Sequence, residues 1–393
     1  MLILFIHFLQ SIGIKFPAVF AYVSTRIMLA ALTAFLFTLL LAPKVIAKLR
    51  ALKMGQPILS EIKDLHGKKS GTPTMGGVLI LASILLSLFL WMDLSSSYTL
   101  LLLIATIWIG SVGGYDDYLK LRHNKNGGLS PRKKIVFLLL FASLASLYLL
   151  APQVQEFFAF GKWFAPLSGK LQGNGMDILE GEAFNRAYFI PFYKNPLFIC
   201  SGFGLFFAFL MHNLVIVGSA NSVNLTDGLD GLASGCTVLA AGALGIFAFL
   251  SNNQSIASYL QIVYIEGSGE IAIFLAAVAG AALGFLFYNA HPAEVFMGDT
   301  GSLALGGLLG LCAVLLRREM VLFIAGGVFV MEALSVVIQV ASYRYRNKKR
   351  VFLCAPLHHH FEYKGWKETK VVIRFWLINI ILAIIAIASL KFQ

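Results

Sequence analysis

Apolar residues gather in about ten runs, at 24–43, 75–92, 98–115, 135–151, 197–217, 231–250, 270–288, 301–316, 320–342 and 371–390, with polar stretches between them. A helix crosses the bilayer core with roughly 20 apolar residues. Inside that core each segment must satisfy its own backbone hydrogen bonds, so the runs predict an all-α, polytopic membrane helix bundle of about ten crossings. The short alternating segments of a membrane barrel are not apparent. A single integral membrane domain over 1–393 is expected, with no soluble domain attached. The stretch 255–265 is apolar but short, and reads as an interfacial turn. The longest polar segment, 152–196, is rich in Gly, Pro and aromatic residues and reads as an extracytoplasmic insertion between helices 4 and 5.

The polar positions orient the bundle. Lys and Arg crowd the first loop (Lys44, Lys48, Arg50, Lys53, Lys63, Lys68, Lys69), the third (Lys120, Arg122, Lys125, Arg132, Lys133, Lys134) and the ninth (Arg344 to Arg350, then Lys364, Lys367 and Lys370). Cytoplasmic loops carry such an excess, so the odd loops are assigned to the cytoplasm and both termini to the outside. The acids and histidines share that parity. Asp116-Asp117 opens the third loop, Asn224 to Asp230 form the fifth, Asp299 closes the seventh and His358-His359-His360 lie in the ninth. The fifth and seventh loops hold no Lys or Arg, so local cations do not account for their acids.

Composition narrows the classes. The chain is 58% hydrophobic and 13% charged, with a mean hydropathy of +0.80, against about 25% charged residues in a soluble domain. The net charge of +12 is explained by topology and anionic head groups, and with no basic face interleaved with aromatics it does not point to nucleic acid. Cys200, Cys236, Cys312 and Cys354 show no CxxC spacing and suggest neither a disulfide nor a metal site. The opening MLILFIHFLQ lacks a positive leading region and reads as mature chain.

Each polar cluster has a chemical and a structural reading. Asp116 and Asp117, beside Gly113-Gly114, can hold a divalent cation or divide into base and ligand; they can also be a helix end with Lys120 at i+4. Asn224, Asp227 and Asp230 recur every third residue on one broad face, beside Gly228 and Gly231; a capping cluster explains one of them, not all three. Asp299, in FMGDTGS before an apolar helix, suits Mg²⁺ near a phosphate, or caps the helix. The adjacent histidines lack zinc spacing, and one or two of them suit phosphate contact. KKSGTPTMGG is either a phosphate-holding turn or positive-inside charge. Glu332 lies deep in a crossing, where an acid faces the bundle interior; a structural contact and a place in a substrate groove are both open, and Gln339 shares its face.

Taken together, KKSGTPTMGG, GGYDDYLK, NSVNLTDGLDGL, YNAHPAEVFMGDTGSLALGG and APLHHHFEYKGWKETKVVIRFW resemble the phospho-N-acetylmuramoyl-pentapeptide-transferase family of peptidoglycan synthesis, over about 68–376. The resemblance implies a ten-helix bundle in the bacterial cytoplasmic (inner) membrane with its active site facing the cytoplasm. It implies a Mg²⁺-dependent transfer from UDP-N-acetylmuramoyl-pentapeptide to undecaprenyl phosphate, giving lipid I and UMP, in one step or through a covalent intermediate. By resemblance Asp116, Asp117, Asp299 and His358 are catalytic and Asp299 holds the metal. Lys69, Thr74, Lys120, Lys133 and His359 line the phosphate path. Asn224, Asp227, Asp230, Asn289 and Phe296 form the nucleoside pocket, with Phe296 stacked on uracil. A homodimer is a further partner the family suggests. Two rivals stand beside this reading. One is a UDP-N-acetylglucosamine:polyprenyl-phosphate transferase, against which HHHFE argues. The other is a transporter, which would place its ionisable groups near the midplane.

Overall fold

The computed structural model describes residues 2–13, 17–52, 71–122, 128–161, 163–165, 167, 169–170 and 181–390. Nine of the helices among them are long and apolar enough to cross a membrane. After the short α1 (Leu2–Ser11) and a 3₁₀ turn (Ala18–Ala21) come α2 (Val23–Ala51), α3 (Gly77–Trp91), α4 (Ser97–Arg122) and α5 (Pro131–Leu150). The chain continues through α6 (Pro152–Phe158), β1 (Gly169–Lys170), α7 (Gly181–Asn185), β2 (Ala187–Tyr188) and β3 (Phe198–Ile199) to α8 (Gly204–Thr226) and α9 (Leu232–Ser251). Then follow α10 (Gln254–Leu260), β4 (Tyr264–Ile265), α11 (Ser268–Asn289), α12 (Gly298–Leu316), α13 (Glu319–Ala325), α14 (Gly327–Tyr345), α15 (Leu357–Tyr363) and α16 (Glu368–Ala388). The nine spans are α2, α4, α5, α8, α9, α11, α12, α14 and α16. The 15-residue α3 is apolar and coincides with the second expected run. The run at 320–342 is divided at Gly326 into α13 and α14.

Helix α12 is the axis of the bundle. Every residue from Thr300 to Leu316 is buried, while neighbouring helices turn large apolar side chains such as Phe203, Leu40 and Val337 outward. That distribution suits a chain whose outer solvent is hydrocarbon: small residues pack the helix contacts and large ones face the tails. Gly306 and Gly310 are four apart on α12. A β-carbon on either would lie 2.3 Å from the Ser219 carbonyl oxygen or 2.8 Å from that of Val215, so these two glycines let the α8 backbone lie against the axis.

Several helices outrun their apolar stretches. The α4 ladder continues to Arg122 and that of α8 to Thr226. Asp116 and Asp117 therefore stand within α4, more than a turn before its end, and Asn224 on the last turn of α8, and not in the loops expected for them. A ladder already nucleated gains one backbone bond per added residue, and Lys120 at i+3 and i+4 pairs with both acids. The interfacial stretch 255–265 forms α10 and β4. In the 152–196 segment, β1 pairs antiparallel with β4 and β2 with β3, and Phe164 donates its N–H to Ser95 in the α3–α4 turn at 2.8 Å.

Candidate active site

Gly113 brings α4 onto the start of α12: a β-carbon there would fall 2.2 Å from the Asp299 carbonyl oxygen. One turn further on, the Asp117 carboxylate meets the first turn of α12. It accepts from Asp299 N–H at 3.1 Å, Thr300 N–H at 2.9 Å and the Thr300 hydroxyl at 2.7 Å. An anion on the free N–H groups of a helix start is favoured by both hydrogen bonding and the helix dipole. Asp117 thus fixes the position of Asp299 relative to α4.

Asp116, Asp117 and Asp299 each offer a carboxylate oxygen within 4.8 Å of the others. Two ammonium groups bridge them. Lys120 Nζ lies 2.6 Å from Asp116 Oδ2 and 3.1 Å from Asp299 Oδ1. Lys134, on the first turn of α5, lies 3.0 Å from Asp116 Oδ2 and 2.5 Å from Asp299 Oδ2. Leu129 N–H donates to Asp116 Oδ1 at 2.6 Å, and Asn224 donates to Asp299 Oδ1 at 3.0 Å and to the Ser302 hydroxyl at 2.9 Å. Hard oxygen donors converging from two helices can hold a metal ion, and carboxylates are what Mg²⁺ takes. Lys133, the lysine expected here, is exposed on the neighbouring position of α5. Lys134 takes its place because residues next to each other on a helix point about 100° apart.

The segment 73–77 runs beside 296–297. Phe296 N–H donates to Pro73, Gly76 N–H to Phe296 and Gly77 N–H to Met297. Thr74 is buried there, its hydroxyl 3.0 Å from where a Gly298 side chain would begin. Lys69 lies outside the described residues.

Asp227 lies just past α8 near the start of α12, and burial with Asp299, Asp117 and Asp230 nearby pushes its carboxyl up to about 8. Asp230 is buried. Its Oδ2 accepts from Ala293 N–H at 3.2 Å and lies 3.0 Å from His291 Nδ1, with Glu368 3.5 Å from the same nitrogen. Asp230, His291 and Glu368 form a second group among the described residues, beside the three aspartates, that can hold an ion; His291 and Glu368 are not among the site residues expected from the motifs. Asn289 is engaged inside the protein, accepting from Gly231 N–H and Ser234 and donating to the Val295 carbonyl.

The three histidines take separate partners, although the rings of His358 and His359 lie 4.2 Å apart. His358 pairs with Glu332, His359 with Glu362 at 2.7 Å, and His360 accepts from Leu353 N–H at 3.1 Å. Nδ1 of His360 is therefore unprotonated, in keeping with burial and Lys364 holding its pKa down. His358 joins the acids through Gly228, one residue from Asp227: a β-carbon on Gly228 would lie 2.3 Å from His358 Nε2. Gln339 bonds Val351, Phe352 and the carbonyl of Phe352, and so fastens the loop that leads to the histidines.

A cavity of about 420 Å³ runs between α8, α12, α13 and α14, from Met211, Glu319 and Phe323 at one end to Ser222 and Val223 at the other. Its wall residues Leu214, Phe323 and Leu334 are exposed on the bundle surface, so it faces the lipid. Its inner end stops one residue short of Asn224.

A membrane-crossing helix bundle with acids and lysines gathered at the end of an apolar groove defines an integral membrane enzyme acting on anionic substrates. The profile of glycosyl transferase family 4 matches residues 99–317, and a phospho-N-acetylmuramoyl-pentapeptide-transferase signature matches residues 69–81. The chain is 53% identical to the phospho-N-acetylmuramoyl-pentapeptide-transferase of Protochlamydia amoebophila (strain UWE25), over the full length of both. It is 44% identical to the enzyme of that name from Koribacter versatilis (strain Ellin345), over 95% of each. The chain belongs to the phospho-N-acetylmuramoyl-pentapeptide-transferase family, within glycosyl transferase family 4.

Proposed function

We propose that the protein transfers phospho-N-acetylmuramoyl-pentapeptide from its UDP carrier to undecaprenyl phosphate, releasing UMP and leaving lipid I in the membrane. The carrying observation is the Asp116–Asp117–Asp299 trio, bridged by Lys120 and Lys134 at the inner end of a lipid-facing groove. An oxygen of the lipid phosphate forms the new bond to the β-phosphorus, and the bond from that phosphorus to the bridging oxygen of UMP breaks. Two phosphorylated reactants repel each other and charge accumulates on the phosphoryl oxygens, so catalysis rests on positioning and on positive charge.

Asp299, with Asp116 beside it, would hold Mg²⁺, which supplies charge neutralisation to the phosphate oxygens. Asp116 orients the incoming lipid phosphate. Asp117, already accepting three bonds from the start of α12, positions Asp299 and is not placed as a nucleophile. Lys120 and Lys134 reach the phosphate oxygens, with Thr74 and His358 on the same path and His359 beside it. Asn224, Asp227, Asp230 and Phe296 face the nucleoside, and Asn289 braces the turn that carries Asp230. The isoprenoid tail lies in the groove that ends at Ser222 and Val223. The site faces the cytoplasm, where the sugar nucleotide is made, and the exposed Arg344 on the last turn of α14, with Arg346, Lys348, Lys349 and Arg350 on the loop before His358, agree with that side.

The test is UMP release by the purified chain in detergent, given both substrates and Mg²⁺. Asp299→Asn is expected to lower turnover by about 10²–10³-fold or more, the scale of losing one preorganised electrostatic group, and chelation should abolish it. Undiminished release by Asp299→Asn would remove the metal assignment. Turnover with UDP-N-acetylglucosamine as the sole accepted donor would move the enzyme to a different branch of the family.

A further inference from the structure

An acid within a membrane-crossing helix is costly unless donors satisfy it. Glu332 is such an acid, fully buried on α14. Among the described residues, the hydrogen bonds of its carboxylate all go to one residue. His358 N–H lies 3.1 Å from Oε1 and 3.4 Å from Oε2, and His358 Nδ1 lies 3.1 Å from Oε2. The His358 ring is itself fully buried, and its other nitrogen, Nε2, has no hydrogen-bond partner among the described residues. Nε2 lies beside Gly228, where an added β-carbon would fall 2.3 Å from it. That glycine follows Asp227, which lies near Asp299 and Asp117.

We infer that Glu332 is a positioning residue that holds His358 in one tautomer and one ring orientation, so that Nε2 is the atom presented to the substrate phosphates. The reasoning is one of donors and acceptors. Nδ1–H is taken up by the carboxylate, so only Nε2 remains for a ligand. A carboxylate serves where an amide would not, because backbone N–H and Nδ1–H both need an acceptor, and a glutamine offers one oxygen and a competing NH₂. The unpartnered Nε2 is then explained: a buried polar atom left open is costly, and a phosphate oxygen would satisfy it. This inference rests on the proposed placement of His358 on the phosphate path.

The experiment measures kcat and KM for the sugar nucleotide, with thermal midpoints, in Glu332→Gln, Glu332→Asp, His358→Ala and the double variants. Glu332→Gln is expected to lose about 10–100-fold in kcat, as when an outer partner of a functional histidine is removed, with KM changed by less than about threefold. Glu332→Asp, which keeps both acceptor oxygens, should recover part of that loss. In the His358→Ala background neither Glu332 change should cost more, because residues acting as a unit are not additive. Multiplied losses in the double variants, or a Glu332→Gln enzyme within twofold of wild type, would overturn the inference. Should Glu332→Gln fail to fold, Glu332→Asp alone and combined with His358→Ala gives the same comparison. A fully active His358→Ala enzyme would sink the placement of His358 and the inference together. An inactive His358→Ala beside an unaffected Glu332→Gln would sink the positioning role alone.

Discussion

Two lysines stand side by side at the start of α5, and one of them is aimed at the acids. Lys134 reaches Asp116 and Asp299, while Lys133 is exposed. Lys134→Ala is therefore expected to cost about 100-fold or more in UMP release, and Lys133→Ala less than about threefold, in parallel assays. The acids, Asn224 and Thr74 were legible from their motifs. Which of two adjacent lysines faces inward was not, because helix phase is set by how α5 packs on its neighbours. Asp227 yields a pH prediction. Its carboxyl is raised from 3.8 to about 8 in the folded protein, so between those values the folded chain holds a proton the unfolded chain has released. Stability from this group is full below about pH 4 and is lost as pH rises toward 8. The thermal midpoint of Asp227→Asn, relative to wild type, should rise from pH 5 to pH 8. A constant difference would show that Asp227 does not titrate in that range.

Helices carry the acids to one point, and their contacts set how closely. Gly113 lets α4 touch the first turn of α12, so Gly113→Ala forces the Asp116–Asp117 turn away from Asp299. Displacements near 1 Å in a reacting set cost about 10²-fold. Turnover of Gly113→Ala should fall by that order, while Ala at Gly114, where the nearest atom is 3.7 Å from the added carbon, keeps most activity. Spans were readable from apolar runs because hydrocarbon demands them. Their polar ends were not: hydropathy marks where the membrane stops and says nothing about where the backbone ladder stops. Hence Asp116 and Asn224 were expected in loops and stand on helices. The Glu332–His358 pair was hidden for another reason. It joins positions 26 apart, on two helices separated by a loop that Gln339 folds back.

Across the whole molecule, the acids, Lys134 and His358 gather at one end of the bundle, and the Arg26–Glu270 ion pair (2.8 Å, buried) ties α2 to α11 at the starts of both helices. In a variant lacking native cysteines, Lys133→Cys should react with a membrane-impermeant thiol reagent only from the cytoplasmic side, and the exposed Tyr259→Cys only from the opposite side. Labelling of both from one face would break the common orientation of site and basic loops. Chain-wide parity was legible because each crossing reverses the side. The outer groove was not, because its lining comes from four helices spread over 211–334. That groove has a kinetic consequence. On the proposed reading, one reactant would slide in sideways from the plane of the bilayer and the other would drop onto the charged end from water. Two such perpendicular doors predict that a greasy plug and a nucleotide mimic each leave the other's entrance open.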